Sequence, residues 1–135
     1  MTHRDRGSAG VETAIAVTAL LAMAFLIIGG IRVISSGSDV NAAARAGARA
    51  AAAEYTASGA QAAATTVVTA VLTGRGVACT GLSVAIGGDL AAGSTVSVDV
   101  TCTVSLADVV LAGFPGSRTV TGSGVEYVDA VRGGT

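Results

Sequence analysis

The chain has 135 residues and a formal net charge of −1, and 51% of it is hydrophobic against 13% charged. That leaves room for one membrane anchor and one small exported domain, but not for a second large core. Two Phe, two Tyr and no Trp, with no basic surplus, exclude a nucleic-acid binder, which needs basic patches interleaved with stacking side chains. All eight basic residues are arginine and the single histidine is His3. Asp89, Asp99, Asp108, Glu126 and Asp129 are scattered, and there is no glycine-rich phosphate loop. With no acid/base pair, activated nucleophile or nucleotide cradle, the chain reads as a non-enzyme that uses no cofactor.

Residues 1–7 form a short polar leader carrying Arg4 and Arg6. The uncharged run 13–31 that follows is about nineteen residues long, enough at 1.5 Å per residue to cross a hydrocarbon core of about 30 Å. Residues 8–36 are therefore the predicted transmembrane segment. The arginines ahead of it predict a single-pass protein of the cytoplasmic membrane, with a cytoplasmic N-terminus and an extracytoplasmic C-terminal domain. Glu12 stands at the mouth of this helix, where an acid costs several kcal/mol unless a cation compensates it. A secretory signal peptide has no reason to keep such an acid, and 28–36 offers no small-x-small cleavage site after the apolar run. Ala14, Thr18 and Ala22 recur every four residues on one face, a spacing that lets transmembrane helices pack closely, although the abundance of alanine explains it equally well.

Ser35-Ser36-Gly37-Ser38 interrupts the pattern. Either a fresh helix starts with Asp39 as its cap, or one helix continues through a kink. Residues 37–73 are expected as one alanine-rich exported helix, with Val67, Val68, Val71 and Leu72 making its last third the part that packs on a sheet. Gly74 and Gly76 end it. Arg45 and Arg49 share a face that is best read as solvated.

From 77 to 135 the period changes. Val96, Val98, Val100, Cys102 and Val104 alternate with polar residues, as a half-buried strand does. A second strand is predicted over 77–86, with Gly87-Gly88-Asp89 opening the hairpin loop. After an apolar connection at 106–111 and the turn Phe114-Pro115-Gly116, a third strand is predicted over 118–128 despite Gly122 and Gly124. The expected fold class is α+β, a long N-terminal helix followed by a small antiparallel sheet. Cys79 and Cys102 lack histidine companions and make a poor zinc site, so no metal is expected; in a small exported domain they favour a disulfide. Pairing them directly across two strands requires a bulge at Thr80-Gly81, which would set Leu82, Val84 and Ile86 opposite Val100, Val98 and Val96.

A cut after Gly7 would make Ser8 the first residue and Glu12 the fifth, one helical turn from a new amine. That spacing resembles the type IV prepilin signature. Together with Asn41-Ala42-Ala43-Ala44-Arg45-Ala46-Gly47-Ala48-Arg49-Ala50-Ala51-Ala52, Cys79-Thr80-Gly81-Leu82-Ser83-Val84, Val100-Thr101-Cys102-Thr103-Val104 and Pro115-Gly116-Ser117-Arg118-Thr119, it makes the chain resemble the TadE/TadG-like minor pilins (pseudopilins) of Tad (Flp) type IV pilus systems. The actinobacterial members are the most similar. The resemblance covers most of the chain and is best over 4–53. It implies a pilin-like fold, processing between Gly7 and Ser8 by a membrane prepilin peptidase, and a meeting of Glu12 with the N-terminal amine of a neighbouring subunit during assembly. The implied partners are other pilus or pseudopilin subunits and the Tad secretion machinery, with transfer from the membrane to an extracellular pilus. Thr13 stands where members commonly have an aromatic. A cut after Gly10 would leave Glu12 second, too close for that arrangement. The competing expectation is a signal-anchored envelope protein whose exported domain binds a partner and never assembles.

Overall fold

The computed structural model describes residues 5–105 and 116–133. Its elements are α1 (Asp5–Ala52), α2 (Ala57–Gly74), β1 (Gly81–Gly88), β2 (Thr95–Ser105), β3 (Ser117–Tyr127) and a short 3-10 turn (Ala130–Gly133). The fold is α+β, and the chain divides into two compact units, 1–33 and 34–135. The apolar connection at 106–111 and the residues Phe114 and Pro115 lie outside the described residues.

In the first unit, Gly10–Ile28 is long and apolar enough to cross a membrane, and none of that window is buried. The window opens three residues before the uncharged run and so takes in Glu12.

In the second unit, helix α1 passes through Ser35–Ser38 without a break, and Asn41 Nδ2 donates to the Gly37 carbonyl at 3.1 Å. Asp39 caps no fresh helix; its carboxylate receives Arg75 instead. The break falls elsewhere, and the single helix expected over 37–73 is in fact two. Ala53 and Glu54 close the last turn of α1 through bonds to the Ala50 and Ala51 carbonyls. Thr56, in extended backbone, then caps α2 by accepting the Gly59 N–H at 3.1 Å. Such a cap satisfies one of the orphan donors at a helix start. Helix α2 ends as the glycines predict. Gly76 has a positive φ of 70°, Val77 N–H reaches the Leu72 carbonyl at 2.9 Å and Gly76 N–H the Thr73 carbonyl at 3.0 Å, the paired bonds of a Schellman motif.

The three strands form one antiparallel sheet in the order β1-β2-β3. Strand β2 buries Val96, Val98, Val100, Cys102 and Val104 on one face, as its alternation predicts. Against them lie Val40, Ala43, Ala44, Ala48 and Ala51 of α1 and Ala60, Ala64, Val68 and Leu72 of α2. The predicted β1 register is corrected. No bulge occurs at Thr80-Gly81, and Leu82, Val84 and Ile86 face Cys102, Val100 and Val98, two residues from the expected partners. The expectation assumed that the cysteines sit directly opposite one another, whereas Cys79 precedes the strand. A slip of two keeps every side chain on its own face, so the buried set hardly changes.

Gly122 and Gly124 are where α1 and β3 approach most closely among the described glycines of β3. A Cβ on Gly122 would stand 2.7 Å from the Val40 carbonyl carbon, and one on Gly124 2.6 Å from Arg45 Cα. Helix α1 thus lies backbone to backbone on β3, and a Cβ on Gly47 would meet Val68 Cγ2 of α2 at 2.8 Å. Overfilling such a contact costs about 1–3 kcal/mol. Gly122→Ala and Gly124→Ala should each lower the unfolding free energy by about that amount, whereas Gly81→Ala, whose Cβ would find Thr103 at 3.7 Å, should be nearly neutral. Denaturant unfolding of the three variants checks this, and equal midpoints would contradict the close approach.

Candidate functional site

The residues singled out in the sequence lie in two places, and each is built by a different kind of local order. Gly7 and Ser8 fall in the first turns of α1, with Glu12 one turn further along. Glu12 is exposed on that helix. Ala14, Thr18 and Ala22 are exposed and line one shallow groove along it, shared with Gly10. The groove exists because these side chains are short, and because the Thr18 hydroxyl turns back to the Ala14 carbonyl at 2.8 Å. That bond leaves a methyl-sized surface with its polar atom satisfied. Around it Val11, Ile15, Val17, Leu20, Leu21 and Phe25 are all at least half exposed. Apolar exposure on every side of a helix suits a lipid or protein environment and not water.

In the second unit, Cys79 and Cys102 form a disulfide with Cα atoms 5.4 Å apart, inside the range the bond requires. It ties the connection after α2 to the central strand β2. Because Cys79 lies before β1, the bridge does not join neighbouring strands, contrary to the expected cross-strand pairing. Thr80 anchors the same connection, its N–H reaching the Thr103 carbonyl at 2.7 Å and its hydroxyl the same oxygen at 3.0 Å. Both thiols are consumed, so neither is available as a metal ligand.

The face carrying Arg45 and Arg49 is only partly free. Arg49 approaches Glu126 of β3 at 3.6 Å across exposed side chains, a contact worth little in water. Arg75, next to the end of α2, meets Asp39 of α1 at 2.7 Å with Asp39 mostly covered, which pins the two helices together. Asn41, Gln61 and Gly47 carry no local sign of these contacts, and Gly122 and Gly124 read only as blemishes in a strand. A Gly-x-Gly pair within a strand was the available sign of a close backbone approach.

The family model of TadE-like proteins matches residues 7–49 of this chain. No curated protein and no solved structure matches it. The match begins on Gly7 and takes in Glu12, the apolar window and the alanine-rich part of α1 up to Arg49, while α2 and the sheet lie beyond it.

Closing a loop of about 24 residues should contribute about 3 kcal/mol by the chain-entropy estimate. Cys79→Ser, or reduction of the wild-type chain, should lower the unfolding free energy by roughly that amount, and non-reducing peptide mapping should recover Cys79 and Cys102 in one linked pair. Identical unfolding midpoints with and without reductant would deny the bridge its stabilising role.

Proposed function

We propose that this chain is a minor pilin or pilus assembly protein of a Tad (Flp) type system, processed between Gly7 and Ser8 by a prepilin peptidase and held in the cytoplasmic membrane by the N-terminal part of α1. The observation that carries the reading is a TadE-like match that starts on Gly7 and runs through Glu12 and Gly10–Ile28. A glycine, an acid five positions later and a spanning helix form one linear device. Cleavage creates an amine one turn from the acid, and a carboxylate at that depth needs a cation to offset its desolvation. The N-terminal amine of an adjoining subunit supplies one. The short side chains at Ala14, Thr18 and Ala22 suit close approach of a second helix. The sheet unit would then face the extracytoplasmic side, with the positive leader retained in the cytoplasm, and its disulfide suits an oxidising compartment.

Two measurements test this reading. N-terminal mass spectrometry of protein extracted from membranes with an active peptidase should find Ser8 as the first residue; an intact Met1-Thr2 peptide, or a start beyond Ile31, would sink the processing step. Glu12→Gln should insert and accumulate as the wild type does, yet lose most of its crosslinking to pilus subunits. Unchanged crosslinking at equal expression would favour the signal-anchored envelope protein instead.

A further inference from the structure

Strands β1 and β3 are the two edges of the sheet. Alternate residues of an edge strand aim their N–H and C=O groups away from the sheet, a template on which a foreign strand can pair. Natural edges are commonly blunted with lysine, proline or a bulge. None of these is present here: β1 reads Gly-Leu-Ser-Val-Ala-Ile-Gly-Gly with no charge, and β3 carries only Arg118 and Glu126 among small and hydroxyl residues.

A different device occupies both edges. On β3 the outward N–H of Ser123 donates to Asn41 Oδ1 of α1 at 3.3 Å. On β1 the Val84 carbonyl accepts Gln61 Nε2 of α2 at 2.9 Å. Ser123 and Val84 both lie inside their strands and not at the ends. Each amide is also held from behind. Asn41 Nδ2 is committed to the Gly37 carbonyl at 3.1 Å, which leaves Oδ1 as the acceptor for Ser123. Gln61 Nε2 lies 3.3 Å from Thr65 Oγ1, and the Thr65 hydroxyl donates to Gln61's own carbonyl at 2.7 Å. The two helices that cover the sheet thus each send one amide over its rim.

We propose that Asn41 and Gln61 are edge guards that keep the sheet of one copy from pairing edge to edge with the sheet of a second copy, leaving association to other surfaces. A pairing strand must settle about 4.8 Å from the edge, which is the space these amides fill. It must also find an unbroken series of outward groups, and a blocked group within the strand interrupts the series. The hydrogen bonds themselves are modest, about 1 kcal/mol each, so the guard acts through position more than strength. This inference does not depend on the pilus reading.

The test uses the full chain in detergent micelles, as wild type, Asn41→Ala, Gln61→Glu and the double variant. Gln61→Glu keeps the side-chain shape but removes the donor. Residue-resolved amide exchange and light-scattering mass are measured over a range of protein concentrations. In Asn41→Ala the Ser123 amide should exchange about fivefold faster at low concentration, the loss of one net hydrogen bond. In the double variant, mass should rise with concentration beyond that of the wild type, and Thr121 and Val125, whose amides face outward with Ser123, should gain protection as it does. A double variant that is folded by its near-wild-type melting temperature, yet keeps wild-type mass and unprotected Thr121 and Val125, would overturn the proposal. Should the double variant fail to fold, the same mass and protection readouts on Asn41→Ala and Gln61→Glu separately decide it.

Discussion

The second unit depends on one distance, that between the backbone of α1 and the backbone of β3. Gly122 and Gly124 leave no room for a Cβ, so the helix settles where a side chain would otherwise stand. The buried face of α1 is correspondingly short, with Ala43, Ala44, Gly47, Ala48 and Ala51 along it and Val40 as its one larger side chain. The bulkier Val68 and Leu72 sit on α2. Alanine serves twice here, since it is also the best helix former. With no aromatic among the described core residues, cohesion comes from closeness: many weak dispersion contacts at optimal separation replace a few large hydrophobic faces.

That economy explains what could and could not be read from the chain. Strand β2 was legible because its valines alternate with Ser, Asp and Thr, and the end of α2 because Gly76 supplies a positive φ. The split between α1 and α2 was hidden, since alanine continues on both sides of it and only Thr56 and Gly59 mark the cap. The β1 register lies two residues from the predicted one because the disulfide is not a cross-strand rung; Cys79 reaches β2 from outside the strand. Gly122 and Gly124 look like flaws in a strand, yet they are the seat of the helix. The amides of Asn41 and Gln61 act across 82 and 23 positions of sequence, contacts that only the folded chain brings together. The candidate site at Gly7 and Glu12 stood out because its logic is linear and needs no tertiary partner within the chain.

The two units therefore carry different sorts of information. The first is a helix long and apolar enough to cross a membrane, written in spacing and hydropathy, and the TadE-like match lies across it and the alanine-rich part of α1. The second holds its shape through caps, close packing, one bridge and the Arg75–Asp39 pair. Its outward sheet face is a ladder of hydroxyls in which Thr101 faces Thr121 and Thr103 faces Thr119, with Asp99 as the charge nearby. Toward the other end of that face Val125 and Tyr127 stand exposed opposite Ser97 and Thr95, so hydroxyls and apolar side chains share it.

The position of the bridge has a mechanical consequence. Cys79 and Cys102 are 23 positions apart in sequence but 5.4 Å apart in space, and all of β1 lies in the loop between them. When the chain is pulled from its two ends, tension passes from α2 through the sulfur atoms directly into β2 and bypasses β1. Roughly 80 Å of contour, at about 3.5 Å per residue, is thereby withheld from extension. An oxidised chain under load can shed its helices or peel β3, but β1 and its hairpin loop carry no force and remain as slack that cannot be drawn out.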